Sequence, residues 1–169
     1  NSNYILLCLM NIKNDIKYAS PSLNQIPLIN DYFNNIVLPK DVELSTEALQ
    51  KLKNLNLLGH KLIIQKISKS LTIINEPIKE NKNTETTLLD NIKNLIKITR
   101  TDDTQSINTN NSIFKIVSAL NNHNYKDSLN ELELINTNNI LNEPIADIKN
   151  IQILYESVDV LIKWLIFKG

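Results

Sequence analysis

The sequence predicts an all-α fold in which helical hairpins pack around a long C-terminal helix, with no sheet. Nearly every patterned stretch repeats its apolar residues at intervals of three and four, the period of an amphipathic helix, and no segment alternates convincingly as a strand does. The chain has 169 residues, of which 42% are hydrophobic. It is therefore long enough to build the core of one domain or of two small packed subdomains.

Residues 1–36 are predicted to form an N-terminal pair of helices. Apolar residues recur on one face of the first helix, at Ile5, Leu9, Ile12 and Ile16. Ser20-Pro21 is predicted to end this helix and open the next, because proline is favoured at the first helical position. Pro27 then kinks the second helix or splits it into a turn plus a helix. A connector is expected over Val37–Leu44.

The second predicted domain covers residues 45–169. Ser45 is expected to be the N-cap of its first helix, with Glu47 in the first turn where the helix dipole favours an acid. The helical pattern then runs from Thr46 to about Ile74, with a break expected near Asn54–Asn56.

The middle of the chain is predicted to hold one short helix between two mobile linkers. Residues 75–87 and 101–112 are polar and are expected to be the linkers. Between them, Leu88–Ile98 carries one apolar stripe with polar residues opposite. This stripe either packs on the domain core, which the pattern alone favours, or lies on a membrane surface.

The last third is predicted to form a helical hairpin and then one long helix. The hairpin covers Ile113–Ile135 and turns at Asn121–Asn124, and the long helix runs from near Pro144 to about Phe167. Its inward face is expected to hold Ile148, Ile151, Tyr155, Val158, Leu161, Ile162 and Leu165.

Apolar residues of the long helix extend beyond that inward face. They include Ile153, Leu154, Val160, Trp164, Ile166 and Phe167. A helix that is apolar over most of its circumference has to be buried on more than one side. We therefore expect a homo-oligomer, with an interface formed by Leu161, Trp164, Leu165 and Phe167.

No residue pattern supports an enzyme, a metal site or a cofactor site. Two glycines are too few for a phosphate-binding loop, and a single cysteine excludes an internal disulfide. Cys8 lies in an apolar run and is expected to be a small buried hydrophobe rather than a nucleophile. His60 is expected at the surface, and His123 in the hairpin turn.

Charge is unevenly distributed along the chain, although the net charge is zero. Residues 51–100 carry ten basic and four acidic side chains, whereas residues 101–169 carry five and nine. Such polarity favours contact with an anionic surface or pairing between the halves of the chain. Sequence-specific binding of nucleic acid is not expected, because the chain has one arginine and no aromatic residue between Phe33 and Phe114.

The order of these elements resembles the C-terminal mitofilin domain, the module of the cristae-junction organiser and its bacterial homologues. Thr46-Glu-Ala-Leu-Gln-Lys-Leu-Lys looks like the helix opening of that family, and Thr87–Ile98 looks like its short amphipathic helix. Ile113–Ile135 and Ile148–Leu165 resemble its hairpin and final helix. Ile5–Tyr32 is similar to the helix pair that bacterial members place before the domain.

Two departures weaken the match. The family usually has Gly-Asp where this chain has Asn122–Tyr125, and Trp-Leu at the start of the final helix where this chain has Trp164-Leu165 near the end.

The resemblance implies a non-enzymatic domain that self-associates and organises a membrane. It implies a place on the periplasmic or intermembrane-space side of an inner membrane, with an upstream transmembrane anchor and coiled coil. The partners implied are an anionic membrane surface, further copies of the chain and, in addition, another inner-membrane protein. By position, the membrane contact would be made by Leu88, Leu89, Ile92, Lys93, Leu95, Ile96 and Lys97.

Two other functions remain open at this point. The chain is alternatively a helical protein–protein interaction module without membrane contact, or a secreted effector or scaffold. Those alternatives allow a cytoplasmic or secreted location. The longest apolar run near the N-terminus, Tyr4–Met10, is too short to span a bilayer and leaves an upstream anchor open.

Overall fold

The computed structural model describes residues 2–72 and 104–168. About 80% of these residues are helical, and none of them belongs to a strand, so the all-α prediction is confirmed. The seven helices are α1 (Ser2–Tyr18), α2 (Ile26–Asn34), α3 (Lys40–Leu52), α4 (His60–Thr72), α5 (Thr104–Asn121), α6 (Tyr125–Ile135) and α7 (Asn142–Lys168). A short 3₁₀ turn, Thr137–Asn139, precedes α7.

The chain divides into two compact units. The first contains residues 1–62 and 149–169, and the second contains residues 63–148. The first unit is therefore built from two separate stretches of sequence. Residue 45, where the sequence-based division starts its second domain, lies inside α3.

In the first unit, α1 and α2 both contact the long helix α7. Lys13 of α1 forms an ion pair with Asp159, and the ring of Phe33 in α2 lies 5.5 Å from that of Trp164. The predicted inward face of α1 is confirmed, since Ile5, Leu9, Ile12 and Ile16 are all buried, and Cys8 is buried beside them.

The second helix begins later than predicted. Pro21 lies in an irregular connector, and α2 starts at Ile26 with Pro27 in its first turn. Either proline could stand at a helix start. The observed start places Pro27 in the first turn of α2, where the missing backbone N–H breaks no helical hydrogen bond. The prediction that Pro27 splits this segment into a turn and a helix is confirmed.

Ser45 is not an N-cap, contrary to the prediction. Helix α3 begins at Lys40 after an extended Pro39, so part of the predicted connector is helical. The hydroxyl of Ser45 donates to the carbonyl oxygen of Asp41 at 2.8 Å, within the helix. A serine can satisfy its hydroxyl in this way without ending a helix. The predicted break near Asn54–Asn56 is confirmed, since α3 ends at Leu52 and α4 begins at His60.

His60 is buried at the start of α4, so the expectation that it lies at the surface was wrong. Just before it, Gly59 passes the end of α1. A Cβ atom at Gly59 would clash with the carbonyl oxygen of Ala19 and would lie 2.7 Å from that of Ile16. This close backbone approach allows no side chain at residue 59.

The second unit contains the predicted hairpin, formed by α5 and α6. The turn is tight: His123 adopts a positive φ of 55°, and the side chain of Asn124 caps α6 by accepting from the backbone N–H of Asp127. Helix α5 begins at Thr104, so the linker predicted over 101–112 is helical from that residue onward. The linker predicted over 75–87 lies outside the described residues.

Ion pairs also connect helices within the second unit. Lys66 of α4 lies 2.9 Å from Glu143 and 2.8 Å from Asp147, both in the first turns of α7. The hydrogen bonds to Asp147 and Glu143 raise the pKa of Lys66. Lys115 of α5 contacts Glu131 of α6 at 3.1 Å, and Ser112 donates to the same carboxylate.

Candidate functional site

The strongest candidate site in the first unit is an apolar surface at the C-terminal end of α7. We call it the α7 tip; it lines a groove of about 500 Å³ and consists of Val37, Leu38, Pro39, Trp164, Phe167 and Lys168. Its residues come from the α2–α3 connector and from the last turns of α7. The two segments lie far apart in sequence, so the surface exists only once α7 has packed beside α2.

The α2–α3 connector places apolar residues in the tip because they lie outside both helices and are not buried by either of them. Helix α2 ends at Asn34, and the N–H of Ile36 then donates to the carbonyl oxygen of Phe33. Pro39 restricts Leu38 to an extended conformation and cannot itself donate a backbone hydrogen bond. Val37 is left 91% exposed, which is unusual for a β-branched apolar side chain in a folded unit.

The α7 part of the tip follows from helical spacing. Trp164, Phe167 and Lys168 are three and four positions apart and therefore share one face. Trp164 is half-buried and packs on Phe33, whereas Phe167 is 86% exposed. The ammonium group of Lys168 lies 4.5 Å from the centre of the Trp164 ring, within the range of a cation–π interaction.

An exposed ion pair lies beside the connector half of the tip. Lys40, next to Pro39, lies 3.0 Å from Glu43, and this hydrogen bond raises the pKa of Lys40. On another face of α7, five positions before Trp164, Asp159 accepts hydrogen bonds from Lys13 and Lys163. Burial alone would raise the pKa of Asp159, but these two hydrogen bonds outweigh it and hold the pKa below its ordinary value.

The four residues predicted to form an oligomer interface occupy different environments. Leu161 and Leu165 are buried within the chain, so they are not available to a second copy. Trp164 and Phe167 belong to the α7 tip. Tyr155, predicted to point inward, is half-exposed, and its neighbour Leu154 is buried instead.

Sequence reasoning missed the connector half of the tip. Val37 and Leu38 were assigned only to a connector, although two consecutive apolar residues before a proline have no helix or strand in which to be buried. That arrangement is the signal that could have identified them. The predicted membrane-contact residues Leu88, Leu89, Ile92, Lys93, Leu95, Ile96 and Lys97 all lie outside the described residues.

In residues 2–72 and 104–168, no helix combines the length and the hydropathy that crossing a bilayer requires. The same part of the chain contains no group of three or more histidine, cysteine or acidic side chains that could hold a metal ion.

No protein-family model, curated protein or solved structure matches this chain. The mitofilin resemblance therefore rests on the sequence motifs alone and stays a prediction.

Proposed function

We propose that this chain is a non-enzymatic scaffold domain that self-associates through the α7 tip. The observation that carries the proposal is the position of two highly exposed apolar residues, Val37 and Phe167, on one groove. Exposed apolar surface bordered by charges is typical of interaction sites. Burying one such side chain stabilises a contact by about 1.5–3 kcal/mol.

A second copy of the chain is the occupant that fits this surface. The tip contains both a projecting side chain, Phe167, and a groove lined by Val37, Leu38 and Trp164. In a two-fold symmetric dimer, each Phe167 can enter the groove of the other copy, so one surface supplies both halves of the contact. Six residues per copy are fewer than the roughly 20–30 of a standard interface, so the dimer is weak and depends on concentration.

The thiol of Cys8 supports the non-enzymatic part of the proposal. Cys8 is buried in the core of the first unit, and no substrate reaches its sulfur without unfolding α1. A nucleophilic cysteine needs partial exposure and a nearby positive charge.

Sedimentation equilibrium over a range of concentrations tests the proposal. Replacing the projecting residue together with the most exposed residue of the groove, Phe167→Ser with Val37→Ser, removes four apolar side chains from a symmetric dimer and should weaken association at least about 100-fold. The matched control is Leu134→Ser, which removes a 76% exposed apolar side chain from α6 and should leave association unchanged. A wild-type chain that stays monomeric at all concentrations would contradict the proposal, as would an equal loss in the Leu134→Ser control.

Membrane contact is a second proposal, favoured by the sequence of Leu88–Ile98. Leu88, Leu89, Ile92, Leu95 and Ile96 form the apolar stripe, and Lys93 and Lys97 flank it. Each lysine near an anionic bilayer contributes about 1 kcal/mol, and the stripe supplies the insertion. By the mitofilin resemblance, such a domain would organise an inner membrane from its periplasmic or intermembrane-space side.

Co-sedimentation with anionic and neutral liposomes separates the two proposals. Binding to anionic liposomes at low salt should fall with Lys93→Glu/Lys97→Glu and with Ile92→Asp/Ile96→Asp, and should survive Val37→Ser/Phe167→Ser. If the wild-type chain ignores anionic liposomes at low salt, the membrane proposal fails. If it then still dimerises through the tip, the helical interaction module is the better account.

A further inference from the structure

The first unit contains a second groove, polar and separate from the α7 tip. It lies between α2 and α3, has a volume of about 380 Å³, and is lined by Pro27, Asn30, Asp31, Asn34, Thr46, Glu47, Gln50 and Lys53. The α2 residues are spaced by three and four positions and so form one face of that helix. The groove shares no residue with the tip.

One residue of this lining has a buried polar atom without a hydrogen bond. Asn30 is only 7% exposed, and its Nδ2 donates to Oε1 of Gln50 at 2.6 Å. Its Oδ1 is buried and has no hydrogen-bond partner among the residues that the structure describes. A buried acceptor without a hydrogen bond costs free energy of folding. A donor from outside α2 and α3, such as a ligand, would remove this cost.

The hydrogen-bond partner of Asn30 is an exposed side chain. Gln50 lines the same groove and accepts one hydrogen bond from Asn30. A ligand in the groove can displace this long, unbranched side chain by rotation about its own bonds while α2 and α3 stay in place.

The rest of the lining shows what kind of donor fits. Asp31 and Glu47 are exposed carboxylates, and neither forms a salt bridge in the described part of the chain. The hydroxyl of Thr46 already donates to the carbonyl oxygen of Glu43, so its oxygen can only accept from a ligand. Lys53 also lines the groove, and its single positive charge does not balance the two carboxylates, so the lining carries an excess of negative charge.

We propose that the α2–α3 groove binds a guanidinium group carried on a short aliphatic chain, as in arginine. A guanidinium is planar, always charged and has five N–H donors, so it can serve several separated acceptors at once. It pairs with a carboxylate through charge-assisted hydrogen bonds and can donate a further one to Oδ1 of Asn30. The volume is at the low end of ligand sites, which suits one side chain or one small molecule.

The test compares two capped tripeptides by calorimetry and by the side-chain amide NMR signals of Asn30 and Gln50. One peptide is Gly-Arg-Gly, and the other carries citrulline, which has the same shape without the charge. The arginine peptide should bind at least tenfold more tightly and should shift both amide signals. Free arginine is a third arm: equal affinity indicates a small-molecule ligand, and tighter binding of the peptide indicates an arginine within a protein segment.

Substitutions of lining residues test whether the peptide binds in the α2–α3 groove. Asp31→Asn with Glu47→Gln should weaken the arginine peptide tenfold or more, and both positions are exposed, so the fold is retained. Asn30→Ala should weaken it as well, with circular dichroism as the check on folding. Asp41→Asn is the matched control, an exposed acid of α3 that does not line the groove, and should leave binding unchanged.

Three outcomes would overturn the proposal. These are equal binding of the two tripeptides, binding that the wall variants leave unchanged, and no binding at roughly 10 mM peptide, a limit corresponding to about 3 kcal/mol. The last result would mean that Oδ1 of Asn30 holds a water molecule only. None of these outcomes bears on dimerisation through the α7 tip, which is measured without peptide.

Discussion

The ammonium group of Lys13 lies 2.5 Å from Oδ1 of Asp159, although 146 positions separate the two residues in the sequence. Both side chains are partly buried, and Lys163 contacts the other oxygen of Asp159 at 2.6 Å. The ring of Tyr155 lies 4.9 Å below the same ammonium group. This cluster connects the first helix of the chain to the last.

Replacing Asp159 with asparagine should lower the free energy of unfolding by about 1–2 kcal/mol at pH 7, because Lys13 keeps its partly buried charge without its carboxylate partner. The folded-state pKa of Asp159 lies below its ordinary value of 3.8. Its contribution is therefore fully present above that value and is lost as the pH falls through the lower folded-state pKa.

Urea unfolding of both proteins between pH 7 and pH 2 measures this difference. Glu43→Gln is the control, since it breaks the exposed pair with Lys40 and should leave stability unchanged. A difference between Asp159→Asn and wild type that persists at the lowest pH would contradict the assignment.

Gly59→Ala should destabilise the protein by about 2 kcal/mol or more, because the new methyl group would overlap the backbone of α1. Thermal unfolding is the measurement. Asn56→Ala, at an exposed position of the same loop, should change stability by less than about 0.5 kcal/mol. If the two variants unfold at the same temperature, the close approach at Gly59 is not tight.

Asn124→Ala should cost about 1 kcal/mol, since it removes the side-chain acceptor that caps α6. Asn130→Ala changes an exposed residue inside the same helix and should be neutral or slightly stabilising, because alanine is the better helix former. Urea unfolding compares the pair. Equal losses at both positions would show that the cap contributes nothing.

Leu161→Ala and Phe167→Ala should have opposite effects on two measurements. Leu161 is fully buried, so its truncation should cost about 2–5 kcal/mol of stability. Phe167 is exposed, so its truncation should leave stability unchanged and weaken dimerisation instead. A Phe167→Ala variant that unfolds easily would place this ring in the core rather than on a docking surface.

The sequence predicts helices well where only one face of the helix is apolar. The faces of α1 and the bounds of α6 and α7 follow from spacing, and the hairpin turn at His123 lies where it was predicted. Helix starts were less predictable, because Ser45 and Pro21 each fit a start and neither lies at one. In both cases a neighbouring proline, Pro39 or Pro27, takes that position.

Most of the inward face of α7 was predicted from its sequence. Six of the seven residues expected there are buried, and only Tyr155 is half-exposed, while Leu154 is buried although it was not expected to be. What the sequence did not determine is the extent of the interface, because a helix that is apolar on most of its circumference does not show which apolar residues remain exposed. The candidate site was therefore half predicted: Trp164 and Phe167 were expected, and the connector residues of the α7 tip were not.

Because the first unit combines residues 1–62 with residues 149–169, it cannot be completed until most of α7 has been synthesised. Residues 1–62 leave the ribosome first, then residues 63–148, and only then the part of α7 that belongs to the first unit. Until α7 emerges, the nascent chain has no Trp164 to cover Phe33 and no Asp159 to pair with Lys13. The α5–α6 hairpin joins neighbouring segments, whereas the first unit depends on contacts such as that between Lys13 and Asp159, and non-local contacts of this kind slow folding. The uncovered faces of α1 and α2 are then the segments on which a chaperone would act.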